Sequence, residues 1–157
     1  MLQYRINIGD AIPDFSAKDA EGEEVTSNDL LGSPVVIYFY PKDDTPGCTK
    51  EACGFRDNMH QLTHHDISVI GVSPASSASH RKFIQKNNLN FTLLSDPNLE
   101  LCRKFDVIQL NKELEKETME RSTFLIDRDG IIRWAERPVN VNGHVERVVA
   151  ALKLLQS

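Results

Sequence analysis

Two cysteines, Cys48 and Cys53, stand five residues apart in the segment Tyr40-Pro41-Lys42-Asp43-Asp44-Thr45-Pro46-Gly47-Cys48-Thr49-Lys50-Glu51-Ala52-Cys53. An apolar run, Val35-Val36-Ile37-Tyr38-Phe39, precedes it, so the order reads as a buried strand, a Pro/Gly turn and a helix opening near Cys48. A helix N-terminus presents unpaired backbone N–H groups and about half a positive charge, which favours thiolate over thiol. The Thr-Pro-Gly turn and the charged Lys50 and Glu51 predict that this thiol is not fully buried. On an unbroken helix five residues give about 140° of rotation and about 7.5 Å of rise, placing the two Cα atoms roughly 8–9 Å apart. A disulfide needs Cα atoms within ~7 Å. The thiols therefore cannot bond while the helix is intact, yet can meet if one turn unwinds. Gly54, inside the same helix, weakens it by roughly 1 kcal/mol relative to Ala. The combination suggests two states, one with a folded helix and reduced Cys48, the other locally unwound and oxidised.

Alternating apolar runs and helical patterns supply the elements that would hold such a site. Residues 35–40, 67–72 and 123–126 are compact apolar runs, as in strands covered on both faces. The Cys48 helix is expected to run to about Leu62. After the second run a helix through His80-Arg81-Lys82-Phe83-Ile84 is expected, capped by Ser76, Ser77 or Ser79. Asp19-Ala20-Glu21-Gly22 reads as the turn of an N-terminal β-hairpin between short strands around Phe15 and Val25. Asp127-Arg128-Asp129-Gly130 reads as a turn into a return strand, Ile131-Ile132-Arg133-Trp134. Val145, Val148, Val149, Leu152 and Leu155 recur at helical spacing, predicting a C-terminal helix with a core-facing stripe. The order ββ, βαβα, ββα is that of an α/β fold with a mixed central sheet flanked by helices. Residues 110–120, charged and without Gly or Pro, fit either a solvated helix or a mobile loop.

Composition narrows the function classes. The 157 residues, 40% hydrophobic and 26% charged, fit one globular domain spanning residues 1–157. A net charge of −5 offers no electrostatic footprint for nucleic acid or anionic lipid. No run approaches the ~18 apolar residues of a membrane span, and the N-terminal residues have no apolar core of signal-peptide length. These features predict a cytoplasmic protein. An odd number of cysteines, three, fits a reducing compartment with functional thiols better than a disulfide scaffold.

Metal binding is a competing use of the thiols. Cys48-x4-Cys53-x6-His60-x3-His64, with His65 adjacent, contains residue types that bind zinc. A finger-like site spaces its second pair about a dozen residues on, and a chain of this size folds without metal, so the histidines are expected on the solvated end of the helix. Cys102 shares a helical face with Leu99 and Phe105 and reads as a core residue, the alternative being a reserve thiol. Arg121 precedes Ser122-Thr123-Phe124-Leu125-Ile126. It is either a surface charge beside Glu120 or a cation brought to the site by a core strand.

Pro41-x3-Thr45-x2-Cys48 resembles the peroxidatic motif of peroxiredoxins, and Cys53 resembles the resolving position of the peroxiredoxin Q (bacterioferritin comigratory protein) subgroup. The similarity extends through Gly9-Asp10-x2-Pro13, Phe39-Tyr40-Pro41, Val69-Ile70-Gly71-Val72-Ser73, Leu93-Leu94-Ser95-Asp96 and Glu120-Arg121-Ser122-Thr123-Phe124. The resemblance implies a thioredoxin-like fold and a thiol peroxidase acting on hydrogen peroxide and small organic hydroperoxides. It implies that Cys48 attacks the peroxide and becomes a sulfenic acid, which Cys53 converts to a Cys48–Cys53 disulfide. Thr45, Arg121 and the backbone N–H groups of Gly47 and Cys48 would hold the peroxide and stabilise charge, and Pro41 would shield the sulfur. A thioredoxin-type dithiol would restore both thiols. No metal or organic cofactor is implied, and the subgroup implies a monomer. Two stretches depart from the pattern: Ser73-Pro74-Ala75 replaces Ser-Pro-Asp, and residues 108–119 lack the glycine and aromatic residues common there. The rival readings are a thioredoxin-like dithiol–disulfide oxidoreductase, which usually carries a Cys-x2-Cys pair absent here, and a structural zinc or interaction module.

Overall fold

The computed structural model describes residues 6–113 and 115–155. Strands β1 (Ser16–Asp19) and β2 (Glu24–Thr26) form the N-terminal hairpin, and β3 (Val35–Phe39), β4 (Ser68–Ser73) and β5 (Thr92–Ser95) follow. A small separate hairpin, β6 (Ile108–Asn111) and β7 (Lys116–Met119), comes next, then β8 (Ser122–Ile126) and β9 (Ile132–Glu136). Seven strands make one mixed sheet in the order β2-β1-β5-β4-β3-β8-β9. Pairing is parallel from β5 through β4 to β3 and antiparallel from β3 through β8 to β9. Helices α1 (Pro46–His64), α2 (Ser77–Asn87), α3 (Glu100–Lys104) and α4 (His144–Ala151) cover the sheet.

The continuous apolar runs form strands because both faces of the sheet are covered. Val36, Tyr38 and Tyr40 point into one core with Phe55 of α1, Phe83 of α2 and Val148 of α4. Val35, Ile37 and Phe39 point into the other, with Leu101 and Cys102 of α3, Phe105 and Phe124. Each fully buried side chain of this size contributes roughly 1.5–3 kcal/mol of transfer free energy. The turns follow local chemistry. The Asp19 carboxylate accepts from the Glu21 and Glu23 backbone N–H groups, and the Asp127 carboxylate from those of Asp129 and Ile131. Ser76 caps α2, its hydroxyl accepting from the Ser79 N–H.

The structure differs from the sequence reading at three places. Leu93 and Leu94 lie within a fourth buried strand of the sheet, β5, which is too short to stand out as an apolar run. The stretch 110–120, of which residue 114 lies outside the described residues, is neither a helix nor wholly a loop, since residues 110–111 and 116–119 pair within the β6–β7 hairpin. Its pairing is a backbone ladder anchored at the base by buried Met119 and by the Glu120 N–H donating to the Val107 carbonyl, so exposed Glu and Lys are tolerated there. Gly54 does more than soften a helix, because a Cβ there would lie 2.8 Å from Val145 Cγ2 on α4. The missing side chain is what lets α4 come this close to α1.

Gly71, at the centre of β4, is tighter still. A Cβ would sit 2.7 Å from Leu93 Cδ2 and 2.9 Å from Tyr38 Cζ, one neighbour on each adjoining strand. Gly71→Ala should therefore destabilise the protein by about 1–3 kcal/mol through overpacking. Denaturant unfolding measures this, and an unchanged midpoint would contradict the crowding.

Candidate active site

The site lies where β3 ends and β8 begins. Antiparallel pairing sets Phe39 opposite Ser122, so the chain leaving β3 and the residue entering β8 are neighbours. The first carries the turn into α1, and the second is Arg121. Thr45 caps α1 in an extended conformation (φ −91°, ψ 157°), Pro46 is the first helical residue and Cys48 the third. Pro at that position loses no hydrogen bond, since the first N–H groups of a helix are unpartnered anyway. The Thr45 hydroxyl accepts from the Cys48 N–H at 3.3 Å, leaving its own proton free to donate. Cys48 thus sits within the first turn, where the helix dipole is felt.

Arg121 closes the site from the sheet side. One guanidinium nitrogen, Nη2, donates to Cys48 Sγ at 3.2 Å, and the other, Nη1, to Glu51 Oε1 at 2.9 Å. Gly47 lies under the same guanidinium, its missing Cβ 3.6 Å from Nη2 and 4.0 Å from Val141 Cγ2. Burial by itself would lower the proton affinity of Arg121, but the charges of Glu51 and Cys48 outweigh it and raise it. The neighbouring backbone is fastened by the Val139 N–H, which donates to the Arg121 carbonyl, and by Lys50 Nζ, which donates to Asn142 Oδ1 at 2.5 Å.

Thr45, Gly47, Cys48 and Arg121 therefore converge. Pro41 is exposed in the turn that leaves β3. Cys53 does not join the group: it faces the C-terminal end of α2, with Sγ 3.8 Å from Asn87 Oδ1. Both thiols are free, and α1 runs unbroken through them, so the Cα separation of roughly 8–9 Å expected for a helix applies. Against the sequence reading, Cys48 is only 1% exposed and Glu51 likewise 1%. The two residues share a helix face three positions apart, and Arg121 covers both. Cys102 is fully buried among the core residues, and burial, then the Asp96 carboxylate, pushes its thiol well up. Asp96 itself caps α3, accepting from the Leu101 and Cys102 N–H groups.

The zinc spacing does not assemble. His60, His64 and His65 are exposed toward the far end of α1, so His60 and His64 stand about 18 and 24 Å along the helix from Cys48. A groove of about 490 Å³ lies there too, lined by those histidines with Val149 and Leu152, away from Cys48.

Sequence reasoning missed a second buried polar cluster beneath the turn. Asp43 accepts from the Tyr40 hydroxyl at 2.6 Å and the Ser79 hydroxyl at 2.7 Å, and lies 2.7 Å from His80 Nδ1. The other ring nitrogen donates to the Leu94 carbonyl at 3.0 Å. Burial alone would raise the Asp43 carboxyl, but its bonds with His80, Tyr40 and Ser79 prevail and hold it below the usual 3.8. The cluster ties the turn after β3 to α2 and β5. The available signal was position: His80 shares a helix stripe with Phe83 and Ile84, and Glu51 shares one with Cys48 and Phe55.

A mixed sheet of this topology, with a thiol in the first turn of a helix under an arginine, defines the thioredoxin-like class of thiol-based oxidoreductases. The chain belongs to the AhpC/TSA family of peroxiredoxins, which are peroxidases, and matches the family pattern over residues 8–135. It is 47% identical to peroxiredoxin Bcp of Bacillus subtilis over 150 residues, covering 94% of this chain and 96% of that one. It is 46% identical over 149 residues to a putative peroxiredoxin bcp of Coxiella burnetii, covering 94% and 99%. Among solved structures, a cysteine-to-serine mutant of the Xylella fastidiosa peroxiredoxin Q superposes with a TM-score of 0.92 at 35% identity, covering 99% of this chain and 100% of that one. The Xanthomonas campestris bacterioferritin comigratory protein gives 0.87 at 37% identity, covering 96% and 98%.

The Asp43 carboxylate is stabilised in the fold, so its contribution is complete above about pH 4–5 and is lost as pH falls through and below 3.8. Asp43→Asn should cost about 2–4 kcal/mol near neutral pH, because it breaks a buried pair. It should also flatten the acid limb of the stability profile. Urea midpoints from about pH 2 to 7 measure both effects, and an acid limb as steep as in the unmodified protein would contradict this role.

Proposed function

We propose that Cys48 is the peroxide-reacting thiolate of a peroxidase that reduces hydrogen peroxide and small organic hydroperoxides. The observation that carries this is the contact of the Arg121 guanidinium with Cys48 Sγ at 3.2 Å, at the start of α1. The cation and the helix N-terminus both favour sulfur as thiolate. The thiolate attacks the protonated terminal peroxide oxygen, which becomes the S–OH of Cys48 sulfenic acid, while the O–O bond breaks and the leaving oxygen takes a proton from solvent to depart as water or an alcohol. Thr45 donates its free hydroxyl proton to the peroxide, and Arg121 stabilises the charge that develops on the leaving oxygen. The Gly47 and Cys48 N–H groups assist, the latter once released from Thr45. Pro41, without an N–H, stiffens the turn and limits access of water to the sulfenic acid.

Cys53 then attacks the sulfenic sulfur, forming the Cys48–Cys53 disulfide and releasing water. The first turns of α1 must unwind for this, since the folded helix holds the Cα atoms too far apart. A thioredoxin-type dithiol reduces the disulfide by exchange and is itself oxidised. A solved relative, the Xanthomonas campestris protein, is described as having alkyl peroxide reduction activity, which supports the inclusion of organic hydroperoxides. We assign the enzyme to a cytoplasmic, monomeric, single-domain form. Among the described residues no helix is long and apolar enough to cross a membrane.

The test is peptide mapping by mass spectrometry before and after one equivalent of hydrogen peroxide. A rapid Cys48–Cys53 disulfide with Cys102 still free is expected. Cys53→Ser should still consume one equivalent yet form no intramolecular disulfide, and Cys48→Ser should lose turnover. Slow, unselective oxidation would overturn the assignment, and an intramolecular disulfide in Cys53→Ser would transfer the resolving role to Cys102.

A further inference from the structure

The contacts of Cys48 do not stop at Arg121. Glu51, whose first carboxylate oxygen holds that guanidinium, turns its second toward α4, where Oε2 lies 2.9 Å from His144 Nδ1. Both side chains of this second pair are wholly buried. The contact has the distance of an ion pair but not the alignment of a hydrogen bond, and neither ring nitrogen has a hydrogen-bond partner among the described residues. What such a contact supplies is charge. His144 opens α4 on the face that packs against α1, with its ring edge-on to Phe55 at 5.6 Å. It takes the first place in the apolar stripe of that helix, where burial of an ionisable ring is costly unless it is paired.

Charge counting gives the arrangement a purpose. With Cys48 ionised, the row Cys48, Arg121, Glu51, His144 contains two anions, the thiolate and the Glu51 carboxylate, with Arg121 between them. One guanidinium then serves two negative groups, and each competes for it. A proton on His144 brings the row to two anions and two cations and holds Glu51 from its far side, so that Arg121 is free to face the sulfur. We propose that His144 is a positioning residue for the reactive thiol: its protonated ring pairs with Glu51 and thereby favours Cys48 as thiolate. This deepens the peroxidase reading of the same site and concerns the state of the thiol before any peroxide arrives.

The other charges around His144 are arranged compatibly. Glu136, from β9, is electrostatically coupled to it, and Arg147, on the same helix, engages Glu136 with two contacts of 2.6 and 2.7 Å. Glu146 is exposed on the helix's outer side, and Glu51 is the partner from α1. Tyr38 couples to Glu51 and Cys48, but burial raises its hydroxyl above the usual range, so it adds no charge to the row. The sign of the effect follows. A proton on the ring favours the thiolate, its loss removes that advantage, and none remains once the thiol is ionised in any case.

The test reads the thiol and the ring directly, without peroxide. The rate of Cys48 alkylation by iodoacetamide, followed by peptide mapping, is compared in the unmodified protein and His144→Gln. The variant should react about threefold to tenfold more slowly near pH 6, with the difference closing above about pH 8–9. Linkage requires the reciprocal effect: in Cys48→Ser the His144 ring should release its proton at lower pH than in the unmodified protein, as followed by NMR of the ring protons. Superimposable alkylation profiles in folded His144→Gln would overturn the proposal. If His144→Gln does not fold, the NMR titration decides alone, and a His144 curve indifferent to Cys48→Ser would overturn it. Neither readout involves peroxide, so failure of the peroxidase assignment and failure of this proposal remain distinguishable.

Discussion

A half-buried guanidinium, shared between the Cys48 sulfur and the Glu51 carboxylate, is the constraint around which the rest of the molecule is organised. Contacts of 3.2 and 2.9 Å leave little freedom in where Arg121 can stand. Removing charges from water is costly, and only well-placed partners offset the cost. The strand register therefore matters. With β3 and β8 antiparallel and Phe39 opposite Ser122, Arg121 is delivered beside the turn that begins α1. A slip of one residue along β8 would turn its side chain to the other face of the sheet. The apolar core enforces the register, since Phe124 and Ile126 belong to one core and Leu125 to the other.

The turn between β3 and α1 is held just as firmly from below. Asp43 gathers bonds from Tyr40, Ser79 and His80, joining the turn to α2, while His80 reaches on to β5. Thr45 fixes the start of the helix by capping it. The Cys48 sulfur is thus anchored at both sides of a short loop, as a preorganised site requires. Preorganisation lowers the rearrangement needed when charge moves during reaction.

The proposed cycle asks the same region to come apart. The start of α1 contributes Cys48 and Glu51 to the arginine site and Ala52 and Phe55 to the core, yet Cys53 can reach Cys48 only if these residues leave their helical positions. Gly54 reconciles the two demands in part. Its missing side chain allows α4 to approach closely while α1 is folded, and its low helix propensity reduces what is lost when α1 opens. The helix is therefore stabilised chiefly by what it touches rather than by its own sequence, and a change at the sulfur can tip the balance.

Sequence alone determined the thiol motif and most of the scaffold. The strand–turn–helix order around Cys48, the buried runs of β3, β4 and β8, the Asp127 turn and the α4 stripe were legible because each rests on local propensity or periodicity. The same pattern carried the family resemblance. Tertiary structure decided the rest. The burial of Cys48 and Glu51 depends on a residue seventy positions away from Glu51 along the chain, which no local pattern encodes. Glu51 and His144, and Asp43 and His80, were invisible as pairs for the same reason: their partners meet only when separate elements pack. The β6–β7 hairpin escaped because backbone pairing, not side-chain periodicity, holds it. Local sequence sets what each element can be, whereas the low-dielectric contacts that tune a buried thiol exist only between elements, and so only the folded chain could specify them.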